Sequence, residues 1–235
     1  MKTKTISLIA TFIFLSSLTF SQTAEEFLKN GDIKVEKKDY SGAILEFTSA
    51  VNLSPNNINA YFSRGMIKHQ IQDFSGAKED FKKVIELYPQ GPEAYFNIGN
   101  IERQMENYQE SINWFTKAIE RGDNNAYNTR GTSKKNLKDF DGALLDFNKA
   151  LEFNPTNEEA YLGRGSLYSD LQDYNKAIVD LDKAIEINPN YQKAYLSRGL
   201  TYYYLENIDK ACEDMKKARE LGMEGVTEVI NQLCK

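Results

Sequence analysis

Apolar residues recur along the chain in a pattern that repeats about every 34 positions. Each unit has an aromatic residue, a glycine four positions later and a small residue twelve positions after the glycine. A large apolar residue and a second small or apolar residue follow at steps of four and three. The glycines stand at 31, 65, 99, 131, 165 and 199, at spacings of 34, 34, 32, 34 and 34 residues. Steps of three and four place side chains on one face of an α-helix, so the pattern predicts helices throughout.

The boundaries of the units can be predicted because prolines close four of them. Pro55, Pro89, Pro155 and Pro189 each stop a helix, since the residue before a proline is kept out of the helical conformation. One unit cannot bury its apolar face alone, so stacked units would share a continuous core. We predict an all-α solenoid with units at 24–57, 58–91, 92–123, 124–157, 158–191 and 192–225, followed by a C-terminal capping helix at 226–235.

The repeating unit resembles the tetratricopeptide repeat (TPR), a helix–turn–helix of 34 residues with an aromatic, Gly, Ala, aromatic, Ala and Pro at these offsets. Residues 158–191 form a near-consensus unit, with Tyr161, Gly165, Ala177 and Pro189 in place. The resemblance covers residues 24 to about 225. It implies a right-handed superhelical solenoid of six helix–turn–helix repeats.

The third repeat departs from the family pattern. Ser111 replaces the small apolar residue, and Arg121, Gly122 and Asp123 replace the closing segment that ends in proline, which leaves the unit two residues short. A shortened turn would change the superhelix slightly. The alternative is a functional kink, because irregular repeats sometimes mark binding faces.

The resemblance also implies a binding surface for a protein or peptide partner. In TPR proteins the second, fifth, ninth and twelfth positions of each unit lie on one face of the first helix and line a concave groove. The groove residues predicted in this way are Phe62, Met66, His69, Phe96, Asn100, Arg103, Asn128, Thr132, Lys135, Leu162, Ser166, Leu196 and Tyr203. The polar members His69, Asn100, Arg103, Asn128 and Lys135 are the first candidates for binding. The alternative is a solvated concave face without a ligand.

One known TPR specificity does not carry over to this sequence. The chaperone-binding class reads a terminal carboxylate with Lys at position five and Asn at position nine of its first unit. Here those positions hold Leu28 and Asp32, or Phe62 and Met66 one repeat later.

Arginine and aspartate vary together between the repeats. Four units have Arg immediately before the glycine and Asp sixteen residues after that Arg, and the pairs are Arg64 and Asp80, Arg130 and Asp146, Arg164 and Asp180, and Arg198 and Asp214. The third repeat lacks both residues and has Ile98 and Trp114 instead. We therefore predict a bidentate ion pair between the two helices of each such repeat. The alternative is a ladder of arginines that binds acidic ligands.

The two cysteines lie on either side of a turn predicted near the C-terminus. Residues 221–225 contain two glycines that would break a helix, and this turn is midway between Cys212 and Cys234. In an antiparallel helical hairpin, residues equidistant from the turn lie level with each other, so a disulfide is geometrically reasonable. The alternative is two free buried thiols. Val226, Val229, Ile230 and Leu233 have the spacing of a helix with one apolar face, which would cover the last repeat.

The first 21 residues have the pattern of a secretory signal peptide. Lys2 and Lys4 precede an uncharged run from Ile6 to Phe20, and Thr19 and Ser21 are small enough for cleavage before residue 22. An uncleaved anchor is the alternative, but a membrane span needs about 20 apolar residues and this run is shorter and interrupted. No cysteine lies near the cleavage site to carry a lipid. We therefore predict no stable membrane anchor after cleavage.

Charge and composition exclude several classes of function. Without its leader the chain would have 27 basic and 34 acidic residues, a net charge of −7, which argues against nucleic acid or an anionic membrane as partner. A single histidine, His69, leaves no set of residues for nucleophilic catalysis. No phosphate-binding glycine motif or metal-ligand spacing occurs in the sequence. The prediction is a protein that is not an enzyme and has no cofactor, metal or small-molecule substrate.

The sequence therefore predicts an exported, non-enzymatic adaptor that binds a peptide segment or protein partner in the periplasm or outside the cell. It resembles the secreted TPR proteins of Gram-negative envelopes, although the leader alone would also suit a eukaryotic secretory lumen. The alternative is a structural envelope protein that self-associates without a peptide ligand. The capping helix argues against end-to-end stacking, as does Lys37, which stands where the other units have an apolar residue.

Overall fold

A computed structural model describes residues 22–234 of the chain. The predicted leader, residues 1–21, lies outside the described residues. The described chain forms thirteen α-helices and no strand, and the helices are α1 (Ala24–Glu36), α2 (Tyr40–Leu53), α3 (Ile58–Gln70), α4 (Phe74–Leu87), α5 (Glu93–Gln104), α6 (Tyr108–Ile119), α7 (Ala126–Asn136), α8 (Phe140–Phe153), α9 (Glu158–Asp170), α10 (Tyr174–Ile187), α11 (Gln192–Tyr204), α12 (Ile208–Glu220) and α13 (Thr227–Leu233).

The helices pack in the order in which they occur in the chain. Each odd-numbered helix from α1 to α11 pairs with the helix that follows it, and each pair stacks on the next. The short helix α13 packs on α12 at the end of the stack. This arrangement confirms the all-α solenoid that the repeat pattern predicts.

The turn inside each repeat is formed by the same backbone conformation. In repeat 2, Gln72 has a φ of 63°, and the backbone N–H of Asp73 donates to the carbonyl oxygen of Lys68 at 2.8 Å. This left-handed residue ends the first helix of the repeat. The carboxylate of Asp73 then accepts the N–H of Gly76 at 3.0 Å and caps the second helix. One aspartate therefore contributes to the end of one helix and to the start of the next.

A large apolar side chain in each second helix fills the space between the helices. Phe81, Phe115 and Phe147 are fully buried in repeats 2 to 4, and Leu181 and Met215 take their place in repeats 5 and 6. The periodic glycine makes this possible because it lies against that side chain. A Cβ added at Gly99 would lie 2.8 Å from the ring of Phe115, which is too close for a side chain at this position.

The four arginine–aspartate pairs join the two helices of their repeats. Arg64 donates from Nε and Nη2 to the carboxylate of Asp80 at 2.9 and 2.6 Å, and the three equivalent pairs have N···O distances of 2.7–2.8 Å. The four aspartates are only 3–4% exposed. The remaining Nη1 group reaches the second helix of the preceding repeat, where its partners are Thr48, Thr116, Asn148 and Asp182. Each guanidinium group thus connects three helices, and its bidentate face is occupied by its own aspartate.

The third repeat uses other contacts in place of the ion pair. Ile98 is fully buried, and Trp114 packs against the same apolar cluster. The hydroxyl of Ser111 lies 3.0 Å from that of Ser133 in the next repeat, with both residues fully buried. In the shortened loop, Nε of Arg121 donates to the carbonyl oxygen of Pro89 at 2.7 Å.

The C-terminal helix covers the apolar end of the last repeat. Val226 and Ile230 are buried against Met215 of α12. A disulfide joins Cys212 to Cys234, with their Cα atoms 5.6 Å apart. The end of α13 is therefore attached covalently to α12.

Candidate binding groove

The predicted groove residues lie on the first helices of repeats 2 to 6. Six of the thirteen line one cleft of about 340 Å³, which we call the central cleft, and they are Arg103, Asn128, Thr132, Lys135, Leu162 and Ser166. These six residues come from α5, α7 and α9, the first helices of three successive repeats.

The other predicted residues are not part of the central cleft. The half-buried rings of Phe62 and Phe96 pack on Phe81 and Phe115, with centroids 5.6 and 5.5 Å apart, and so contribute to the core. Met66 is exposed on α3.

Two further polar candidates are engaged in contacts with other side chains of the groove helices. Nε2 of His69 lies 3.2 Å from Oε1 of Gln104. Asn100 accepts from Nη2 of Arg103 at 3.4 Å. Leu196 packs against the cluster of the capping helix, and Tyr203 lies at the C-terminal end of the groove.

The structure adds six residues that the sequence interpretation did not name. They are Thr129, Phe147, Glu159, Gly163, Tyr191 and Lys193. Glu159 and Lys193 occupy the second position of their units, so the same rule that identified the other groove residues would have found them. Gly163 lies directly over the ring of Phe147, and an added Cβ would meet that ring at 2.5 Å. The absence of a side chain there leaves the space that the phenylalanine ring occupies at the base of the cleft.

Asn128 is the most buried polar residue of the central cleft, at 7% exposed. Its Nδ2 donates to Oε2 of Glu159 at 3.4 Å. Its Oδ1 has no hydrogen-bond partner among the described residues, and the same holds for Nε of Arg103. A buried polar atom without a partner costs about 1–3 kcal/mol. This part of the structure is therefore not optimised for stability alone.

The charges that line the central cleft are mostly positive. Arg103, Lys135 and Lys193 are cationic, whereas Glu159 is the acidic residue among the lining side chains. Nζ of Lys135 also lies 3.1 Å from a carboxylate oxygen of Asp170 at the edge of the groove. The lining side chains thus carry three positive charges and one negative charge, in a chain whose net charge is −5.

Tyr191 contributes a phenol that stays protonated. Burial, together with the negative charges of Glu159 and Glu158, raises the pKa of Tyr191 to about 12. At neutral pH the hydroxyl group therefore remains a hydrogen-bond donor.

The arrangement is suited to holding a ligand through hydrogen bonds and charge. Cations, a phenol and the amide of Asn128 surround an open space with an apolar floor. Among residues 22–234, no group of three or more His, Cys, Asp and Glu side chains is placed to hold a metal ion. None of the described helices combines the length and the apolar character needed to cross a membrane.

Comparison with protein-family models gives matches along almost all of the described chain. Models described as "Tetratricopeptide repeat" match residues 58–90, 92–125, 125–157, 158–191 and 192–221. A model described as "TPR repeat" matches residues 31–72. A search of curated proteins finds no match to the sequence.

Solved structures with the same fold come from several proteins. A tetratricopeptide repeat protein from Parabacteroides merdae ATCC 43184 is 21% identical over 90% of this chain and 84% of its own, with a TM-score of 0.71. PilW, described as a widely conserved type IV pilus biogenesis factor, is 18% identical over 89% and 99%, with a TM-score of 0.77. YrrB, described as a TPR protein with an unusual peptide-binding site, is 24% identical over 80% and 98%, with a TM-score of 0.58. At these identities the similarity shows the fold alone.

Proposed function

Because the chain belongs to the tetratricopeptide repeat family, we propose that it is an exported, non-enzymatic adaptor that binds a peptide segment or protein partner in its concave groove. The central cleft is the observation that carries this proposal. It combines three cationic side chains, a phenol and the buried amide of Asn128 around an apolar floor. A peptide offers both charged groups and backbone hydrogen bonds to such a surface. The peptide-binding site named for YrrB agrees with this use of the fold.

Two observations support export. Residues 1–21 have the charge, apolar core and small residues of a cleavable leader. The disulfide between Cys212 and Cys234 is the kind of bond that persists in an oxidising compartment. Export is tested by fractionating cells and determining the N-terminus of the protein in the envelope and outside the cell. Recovery of an uncleaved chain with free thiols in the cytoplasm would contradict it.

Partner binding is tested by site-specific crosslinking in the native cells. A photoreactive amino acid at Thr132, in the central cleft, should crosslink to a distinct partner. The same amino acid at Leu145, an exposed residue on α8, serves as the control and should not.

The partner recovered in this way then allows a quantitative test. Lys135→Glu reverses a charge in the central cleft and should weaken binding by about tenfold or more. Lys149→Glu makes the same change at an exposed site on α8 and should leave binding intact. Equal binding by both variants would overturn the groove proposal. The self-associating alternative instead requires a molar mass in light scattering that rises with concentration.

A further inference from the structure

A second cleft opens at the C-terminal end of the concave groove. It has a volume of about 320 Å³ and is lined by Leu200, Tyr203, Met215, Val229, Gln232 and Leu233, and we call it the terminal cleft. One wall is α11 and the other is α13, the helix that covers the last repeat.

The terminal cleft has the same construction as the central cleft. Thr132 and Lys135 occupy the ninth and twelfth positions of the fourth repeat, and Leu200 and Tyr203 occupy these positions in the sixth. The floors are also equivalent, because Phe147 and Met215 hold the same position two repeats apart. Helix α13 thus takes the place that the first helix of a seventh repeat would have. The groove therefore continues onto α13 rather than ending at α11.

The two clefts differ in chemistry. Five of the six residues that line the terminal cleft are apolar or aromatic. Leu200, Tyr203 and Val229 are 39%, 45% and 45% exposed, so this apolar surface faces solvent. The central cleft is cationic. A ligand complementary to both would have a carboxylate at one point and a bulky apolar side chain at another.

The distance between the clefts sets the spacing of these two groups. Most of the central cleft is built by α7 and α9, although Lys193 comes from α11, and the terminal cleft lies between α11 and α13. Packed helices lie about 8–10 Å apart, so these two steps span about 20 Å. An extended peptide covers this distance in about six residues at about 3.3–3.6 Å each.

We propose that the terminal cleft binds one bulky apolar side chain of a peptide whose carboxylate, from a side chain or the chain end, occupies the central cleft about six residues away. This inference rests on the proposed function of the groove. Helix α13 is then part of the binding site, and the disulfide from Cys212 to Cys234 holds that wall against α12.

The test uses a phage library of random peptides of about 15 residues, long enough to reach both clefts. Selection on the folded, oxidised protein should enrich peptides with an acidic group and a large apolar residue about six positions apart. Synthetic copies with the acid only at the C-terminus, or only in a side chain, distinguish the two sources of the carboxylate.

Charged substitutions then test whether the apolar residue of the selected peptides binds in the terminal cleft. Val229→Glu and Leu200→Glu place a charge on each wall of the terminal cleft and should weaken binding of the selected peptides by about tenfold or more. Val179→Glu and Leu145→Glu make the same changes at sites that are 67% exposed on the second helices, and should have no effect. Helical content measured by circular dichroism checks that all four variants are folded.

The outcomes separate this inference from the proposed function. If Lys135→Glu weakens binding while both terminal-cleft variants bind like wild type, the inference is overturned and the groove proposal stands. If none of these three variants weakens binding, or if no peptide is enriched, both are overturned. If Val229→Glu and Leu200→Glu weaken binding while Val179→Glu and Leu145→Glu do not, the inference is supported.

Discussion

At the scale of single residues, the buried aspartates of the ion pairs depend on their arginines. Asp146 is 3% exposed and accepts two hydrogen bonds from Arg130 at 2.8 and 2.7 Å. A charge removed from water in this way is stable only while its partner is present. The guanidinium group of Arg130 also lies over the ring of Tyr127, 5.4 Å from its centroid. Loss of the carboxylate would therefore affect an entire packed cluster.

We expect Asp146→Ala to lower the free energy of unfolding by about 3–5 kcal/mol, because it leaves Arg130 and Lys134, both ion-paired with Asp146, partly buried without their carboxylate. Urea denaturation followed by circular dichroism measures the change. The control is Glu152→Ala, which breaks the exposed pair with Lys149 and should cost about 0–1 kcal/mol. Similar losses of stability in both variants would show that the buried ion pair contributes no more than the exposed one.

Glu102 makes stability depend on pH. Burial alone would raise the pKa of Glu102, but hydrogen bonds from Asn107 and Lys78 outweigh it and hold the pKa below its ordinary value of 4.5. The folded state thus favours the ionised carboxylate more than the unfolded state does. Its contribution is complete above pH 4.5 and is lost as the pH falls through the lower value in the folded protein.

Glu102→Gln should accordingly be less stable than wild type at neutral pH, and the difference should shrink below pH 4.5. Free energies of unfolding from urea titrations across the acid range measure this difference. Glu79→Gln, at an exposed site on α4, should remain close to wild type throughout. A difference for Glu102→Gln that does not vary with pH would contradict the lowered pKa and the hydrogen bonds from Asn107 and Lys78 that explain it.

At the scale of helices, the repeat pattern predicted the fold because each element has the same apolar face. Spacing within a helix determines which side chains share a face, and this identified the surface from which Asn128, Thr132 and Lys135 project. It does not determine which helices approach closely enough to form a cleft. Phe62 therefore packs into the core although it has a groove position. Tyr191 enters the central cleft from just before α11, where the helical pattern gives no signal.

The contact between α6 and α7 rests partly on two buried hydroxyl groups. Ser111 and Ser133 bond to each other at 3.0 Å, and Ser133 also bonds to the carbonyl oxygen of Thr129 at 3.2 Å. We expect Ser133→Ala to cost about 1–3 kcal/mol, since the hydroxyl of Ser111 loses its partner in a buried site. Ser111→Ala combined with Ser133→Ala should recover most of this loss, because both groups are then apolar. Thermal or urea unfolding of the three variants gives the coupling, and simple addition of the single effects would exclude it.

At the scale of the whole molecule, the solenoid is stabilised by contacts between neighbours, and its ends are the places where it opens first. Helix α13 has seven residues and packs mainly on α12. Its attachment through Cys234 therefore matters more than its length suggests.

We expect the double variant Cys212→Ser, Cys234→Ser to lose about 3 kcal/mol, the chain-entropy value for a closed loop of this size, whose cysteines are 22 residues apart. Amide hydrogen exchange should accelerate first at α13, including Ile230, while α1 to α9 keep their protection. A reducing agent should have the same effect on wild type and none on the variant. Unchanged exchange at α13 would mean that apolar packing alone holds this helix.

The junctions between repeats are not all interchangeable, because the residue that accepts from the Nη1 group of the arginine is a threonine in two junctions, an asparagine in one and an aspartate in another. Those partners are Thr48, Thr116, Asn148 and Asp182. In repeat 2 the same position holds Lys82, and the following repeat has Ile98 where an arginine would stand. A chain that lost repeat 3 would set Arg130 against Lys82, two cations where a hydrogen bond is needed. These side chains therefore restrict which repeat can follow which, although the units share one fold and almost one length.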